Sequence, residues 1–241
     1  MQSFRNNIIN QIKNISEGKI FTPQDLDYPV ERLANVCVIL SELTGKKELN
    51  RIAKGAYYKP KRSTLGLGSL PVYQDEQLLY LTKKLDGYLT GPYMYNKMGL
   101  TEQITSTITI ATHKPVRNFK FRKLNIECIK AYADNKLLED ESLQYIRILD
   151  AIKDIKHIPG KNQQDIYDTI IKQYLVLYSD TVLTKIVSLA INYPPRVRKV
   201  LGDMLEDLNR TDLYLRISKT IIPTTRFSFS YKRNKTYESA Y

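Results

Sequence analysis

Phe4, Ile8, Ile12 and Ile15 recur at helical spacing in residues 3–15, while Arg5, Asn6, Gln11 and Lys13 take the other side, so the pattern predicts a first amphipathic helix. Gly18 stops it. Lys19-Ile20-Phe21 then reads as a short extended segment, and Thr22-Pro23-Gln24-Asp25 as the start of a short second helix. Thr22 suits the N-cap, Pro23 the first turn, and Asp25 the positive helix end. From Pro29 to Thr44, the positions Leu33, Val36, Cys37, Leu40 and Leu43 form one apolar face and predict a third helix, ended by Gly45. Its outward face is expected to carry Glu31, Arg32, Asn35, Val38, Ile39 and Glu42. The period then changes. Leu49 with Arg51 on one side, Asn50 with Ile52 on the other, a turn at Lys54-Gly55 and the resumption Ala56-Tyr57-Tyr58 predict a two-stranded hairpin.

Residues 60–71, PKRSTLGLGSLP, hold two prolines, two glycines and two serines and read as a connection between domains, centred on 63–73. Beyond it, Leu78, Leu79, Leu81 and Leu85 predict a helix over 74–85, Gly87-Tyr88-Leu89 an extended piece, and 92–98 a short helix. Strand alternation follows over 105–112 (Ile108 and Ile110 against Thr107, Thr109 and Ala111) and continues through Phe119, Phe121 and Ile126 to residue 130. Helical spacing returns over 141–156, 163–178 and 180–192, and again after Pro194-Pro195 through Val197, Val200, Leu201, Met204 and Leu208. One strand is expected at 224–231, with the last ten residues fraying. The expected fold class is α+β: an N-terminal winged helix-turn-helix over 1–62, a linker over 63–73, and over 74–241 a larger mixed domain with a small sheet and a C-terminal helical bundle.

Charge changes this picture from a fold to a partner. The 241 residues carry 37 Lys and Arg against 25 Asp and Glu, a formal charge of +12, which favours a polyanion. The excess is concentrated on the hairpin: between residues 46 and 62 there are seven cations, Lys46, Lys47, Arg51, Lys54, Lys59, Lys61 and Arg62, against Glu48 alone. Three short helices followed by a basic hairpin is the element order of a winged helix that sets its third helix in a DNA groove while the wing holds the backbone. In that arrangement Asn35 would read adenine, Arg32 guanine or a phosphate, and Val38 a thymine methyl. The alternative reading is a winged-helix protein-interaction module without specific DNA binding, its basic hairpin serving only as a solvated edge that discourages strand pairing. A second basic patch, Lys114, Arg117, Lys120, Arg122 and Lys123, is either a further stretch of DNA track or a solvated strand face.

Candidate chemistry is sparse. Gly66-Leu67-Gly68-Ser69 lacks the GxxxxGK[ST] spacing of a phosphate loop, and adjacent Asp75-Glu76 point about 100° apart on a helix, too far to share a metal. Cys37 and Cys128 lie in apolar stretches and read as reduced core thiols, and with only His113 and His157 beside them no zinc spacing arises. Asp134, Glu139, Asp140 and Glu141 are scattered, so no catalytic residues, metal or cofactor are assigned. Arg196, Arg198 and Lys199 at a helix start oppose the macrodipole and hint at a role other than helix stability, with solvation as the default explanation. No stretch reaches the length of a membrane span and the N-terminus is too polar for a signal peptide, so a cytoplasmic protein is expected.

The segments KIFTPQDL, KGAYYKP, YLTGPYMYNKMGLTEQ followed by TSTITIAT, and YPPRVRKVLGDML, taken in this order over residues 5–208, resemble AbiEi-type antitoxins of type IV toxin-antitoxin systems. That resemblance implies a winged-helix autorepressor binding inverted repeats of double-stranded DNA in its own promoter. It also implies a C-terminal domain that counteracts a nucleotidyltransferase-like toxin without needing a stable complex. Carried over by position, DNA contacts fall on Thr22 and Gln24, on Arg32 and Asn35, and on Arg51, Lys54 and Tyr57.

Overall fold

The computed structural model describes residues 2–63, 68–133 and 140–233 of a mixed α+β chain that divides into two units, Met1–Lys84 and Leu85–Tyr241. The residues Gly66, Leu67, Asp134 and Glu139 and the end of the chain past 233, all of which figured in the sequence reading, lie outside the described residues, as do the side chains of Asp140 and Glu141.

In the first unit α1 (Gln2–Asn14) buries Ile8 and Ile12, as their spacing predicts. Strand β1 (Ile20–Phe21) follows, and then Thr22 opens a single 3-10 turn, Pro23–Asp25, rather than a helix. The Asp25 carboxylate folds back to accept from the Thr22 N–H at 2.7 Å and from its hydroxyl at 2.9 Å, a capping box of the kind that begins a helix, but Leu26 leaves the turn in extended conformation to enter the core and ends it after one turn. A second 3-10 turn, Val30–Arg32, leads into α2 (Leu33–Gly45), which buries Val36, Ile39, Leu40 and Leu43. The buried stripe is therefore rotated from the predicted one: Ile39 points inward, whereas Leu33 and Cys37 are exposed. Cys37 is thus no core thiol, and Cys128 is only half-buried. Gly45 is the last helical residue, but the reversal falls on Lys47, whose φ is +60°.

Strands β2 (Asn50–Ala53) and β3 (Ala56–Tyr58) form the expected hairpin across Lys54-Gly55, and β1 pairs antiparallel on the far side of β3. Both Leu49 and Ile52 are buried, which strict alternation forbids; a register shift between Arg51 and Ala53 brings the second one round. The predicted linker also holds structure, since β4 (Lys61–Arg62) and β5 (Ser69–Leu70) make a small antiparallel ribbon. Helix α3 (Gln74–Leu85) then spans the division of the chain, so nearly all of it belongs to the first unit.

The second unit is built on a four-stranded sheet of order β6-β7-β9-β8, from β6 (Gly87–Thr90), β7 (Thr107–Thr112), β8 (Phe119–Phe121) and β9 (Leu124–Lys130). The central pair β7 and β9 is parallel, because β8 turns back before β9 begins. Covered on both faces, β7 buries Thr109 and Thr112 along with its isoleucines, so these two threonines are core residues and not the solvent face that alternation suggests, while Thr107 at the strand start is half-buried. Helix α4 (Gly91–Lys97) starts at Gly91 with φ +71°, where an added Cβ would stand 2.6 Å from Thr109 Oγ1. Gly91→Ala combines a left-handed backbone cost with that clash, and a loss of about 1–3 kcal/mol in a urea titration is expected.

Five helices complete the unit: α5 (Asp140–Lys153), α6 (Gln163–Gln173), α7 (Asp180–Ala190), α8 (Pro195–Asp207) and α9 (Thr211–Ser218), the last without a counterpart in the sequence reading. Their apolar faces share one core with the sheet. No strand forms at 224–231. That segment runs along the helices with Phe227, Phe229 and Tyr231 stacked in series, Tyr231 on Tyr167 at 4.3 Å between ring centres, and its backbone bonded to the side chains of Gln163 and Gln164. Side-chain partners replace the neighbouring strand that the alternating pattern calls for.

The same segment explains three acids on α8. Arg233 reaches Glu206 at 2.8 Å, Asp207 at 3.3 Å and Asp203 at 3.8 Å, while the Tyr231 and Tyr167 hydroxyls donate to Asp203 and Asp207. Lys199 also pairs with Asp203, and Arg198 donates to the Thr220 carbonyl at 2.6 Å just past α9. Both cations at the α8 start are therefore engaged inside the bundle, Arg198 across to the end of α9 and Lys199 on α8 itself.

Candidate nucleic-acid interface

A winged helix on DNA needs one surface that carries both a groove-facing helix and a basic wing. On α2 the residues opposite the buried stripe are Ala34, Val38 and Ser41, flanked by Cys37, and all are exposed, Val38 to 57%. This face is small and uncharged. The two glutamates that would repel phosphates lie off its centre: Glu42 is tied to Arg5 at 2.7 Å, and Glu31 sits in the 3-10 turn before the helix. Arg32 is exposed, with its guanidinium 5.2 Å above the Phe4 ring of α1. Asn35 is exposed on the flank of the face nearest that pair.

On the hairpin, Lys54 stands exposed at the turn, and Arg51 is exposed with its Nε–H donating to the Ala53 carbonyl at 3.2 Å, which folds the side chain along the shifted strand. Two expected contacts turn inward. Tyr57 is a core residue, 7% exposed and 6.3 Å from Phe21, and Lys59 is half-buried with its ammonium on the Lys13 carbonyl at 2.6 Å, at the C-terminus of α1. Lys46 and Lys47 are exposed beyond the last turn of α2, and Lys61 and Arg62 are exposed on β4, outside the hairpin.

A cleft of about 730 Å³ brings part of the set together. Thr22 and Gln24 from the 3-10 turn, Lys54 from the hairpin and Leu33 with Cys37 from α2 line it, with Leu79 and Tyr80 from α3 opposite. Three cations that the sequence reading passed over lie in the same cleft: Lys19, Lys83 and Lys84. The signal for the last two was present, but cations in the final turn of a helix read as partners of its macrodipole, and assigning 74–85 to another domain separated them from the hairpin.

In the second unit, Lys114, Arg117, Lys120, Arg122 and Lys123 are all exposed, on the loop after β7, on β8 and at the turn into β9. They form a separate cationic edge, with Lys120 between the inward-facing Phe119 and Phe121. Among the described residues no cluster of three His, Cys, Asp or Glu side chains is placed to hold a metal ion, and no helix is long and apolar enough to cross a membrane. His113 has a ring nitrogen 2.6 Å from the Ala133 carbonyl.

A family described as a family of unknown function, DUF6088, matches residues 7–181. Among solved structures, the crystal structure of the RV2827C protein from Mycobacterium tuberculosis is similar at 12% identity and a TM-score of 0.39, over 92% of this chain and 83% of that one. No curated protein matches.

Proposed function

Because the chain belongs to the DUF6088 family, for which no activity is described, its function has to be argued from its own surfaces, and we propose that it is a DNA-binding antitoxin that represses its own promoter. The first unit is read as a winged helix, with α1 and α2 as the helices, the turn Pro23–Asp25 as a shortened middle helix, and β2–β3 as the wing. One observation carries the DNA reading: the exposed face of α2 is small and uncharged, and the wing-tip Lys54 shares a cleft with residues that start that helix. A groove floor can approach such a face closely, while phosphates on the groove walls meet the cations beside it. The antitoxic role of the second unit, counteracting a nucleotidyltransferase-like toxin, rests on the resemblance of its segments to AbiEi-type antitoxins.

Titration of a labelled duplex from upstream of the coding region tests this. Affinity is expected to fall steeply with salt, and Arg51→Ala with Lys54→Ala to flatten the log–log slope by about 1 for each cation lost from a phosphate. Salt-independent or absent binding would favour the protein-interaction module. For the antitoxic role, co-expression with a neighbouring nucleotidyltransferase-like gene is expected to restore growth that the neighbour alone arrests.

A further inference from the structure

Four lysines, Lys19, Lys54, Lys83 and Lys84, line one cleft of the first unit, against two carboxylates, Asp25 and Glu76. Asp25 is engaged by Thr22 through both its N–H and its hydroxyl, and four ammonium groups against two carboxylates leave the lining with a net positive charge. Like charges gathered in a concave, partly apolar surface raise the potential there, and an anion that enters relieves it. Lys84 lies 5.7 Å over the Tyr80 ring, which leaves Lys19 and Lys83 as exposed ammonium groups on the margin of the cleft.

We infer that Lys19 and Lys83, with Lys84 beside them, form a second phosphate clamp that faces the wing across the cleft and holds the sugar-phosphate backbone of duplex DNA. The inference rests on the DNA reading above and deepens it. Arg51 and Lys54 alone would hold the backbone only at the wing. Lysines contributed from before β1 and from the last turn of α3 extend the contact along the cleft, beside the Leu33 and Cys37 flank of α2 that Lys54 also meets, and they make α3 part of the DNA-binding unit. Phosphate contacts of this kind fix register and orientation on the duplex without selecting sequence, so the loss should be equal for the upstream duplex and for a scrambled one.

The full-length protein carrying Lys19→Ala and Lys83→Ala is compared with wild type and with Lys185→Ala, an exposed cation of α7 in the second unit, by anisotropy of a labelled upstream duplex and a scrambled duplex across a salt series. Both replacements lie at exposed positions, and alanine suits the α3 helix, so folding is retained. The expected result is a log–log salt slope shallower by about 1 per lysine, on both duplexes, with Lys185→Ala unchanged. A wild-type slope that is steep and flattens in Arg51→Ala/Lys54→Ala but not in Lys19→Ala/Lys83→Ala overturns the clamp and leaves the DNA reading standing. Equal flattening in Lys185→Ala also overturns it, as a general effect of net charge. Absence of wild-type binding to either duplex removes the DNA reading and the clamp together.

Discussion

Arg233→Ala is expected to lower the unfolding free energy of the second unit by about 2–4 kcal/mol, because it strips the guanidinium from a set of carboxylates that the fold has removed from water. Asp207 is fully buried and the Asp203 side chain is 4% exposed, so neither recovers hydration when its cation leaves. The full cost of breaking a buried pair is not reached, since the Arg233 side chain is 32% exposed and Asp203 keeps Lys199. Equilibrium urea unfolding followed by circular dichroism measures it. Arg233→Lys should recover only part of the loss, because one ammonium cannot serve three carboxylates spread over adjacent turns of α8. An alanine variant within about 0.5 kcal/mol of wild type would mean that the segment 227–233 adds little to the bundle.

Asp150→Ala is expected to cost about 3–5 kcal/mol through a different route. Asp150 is 1% exposed and accepts from the Thr90 hydroxyl at 2.7 Å and the Tyr193 hydroxyl at 3.0 Å, joining β6 to α5 and to the loop after α7. Alanine leaves the buried Thr90 hydroxyl without this acceptor, leaves Tyr193 only its longer bond to the Ile146 carbonyl at 3.4 Å, and opens a void. Asp150→Asn separates charge from hydrogen bonding. Burial raises the Asp150 carboxyl above the ordinary aspartate value of 3.8, opposed by the hydroxyls of Thr90, Tyr193 and Tyr88 and by the Lys153 charge. A carboxyl that holds its proton more tightly when folded favours the fold at low pH, and that contribution is lost as pH rises from about 3.8 through the raised folded value. Asparagine has no proton to lose there, so the variant should gain on wild type as the pH is raised across that window. A constant difference across the same range would show that Asp150 ionises as easily inside the fold as outside it.

Periodicity located most of the helices and the strand segments of the larger sheet, though not the reversal that divides 119–130 into β8 and β9, because Ile8, Ile12, Val197, Val200 and their like are spaced by burial. It failed where another interaction decided the conformation. After Thr22 the capped turn stopped at Asp25, where Leu26 turns extended into the core. Within α2, two stripes compete, and packing chose the one containing Ile39 over the one containing Cys37, which moved the exposed face onto Ala34, Val38 and Ser41. At 224–231 the alternating Phe227, Phe229 and Tyr231 pattern was real, but helices and their glutamines, not a strand, lie beside it. For the candidate interface, charge density marked the hairpin and could not say which of its cations turn inward. Lys59 is claimed by the α1 carbonyl end, and Tyr57 by Phe21, whereas Lys19 and Lys83 reach the cleft from segments that have no basic run around them.

The bond from Lys59 to the Lys13 carbonyl, together with the pairing of β1 on β3, fastens the hairpin to the helix that precedes it. A free two-stranded hairpin is only marginally ordered in water. Here its shape is fixed before any partner arrives, so docking surrenders little chain entropy, and differences among partners should emerge in how long they stay bound more than in how fast they arrive.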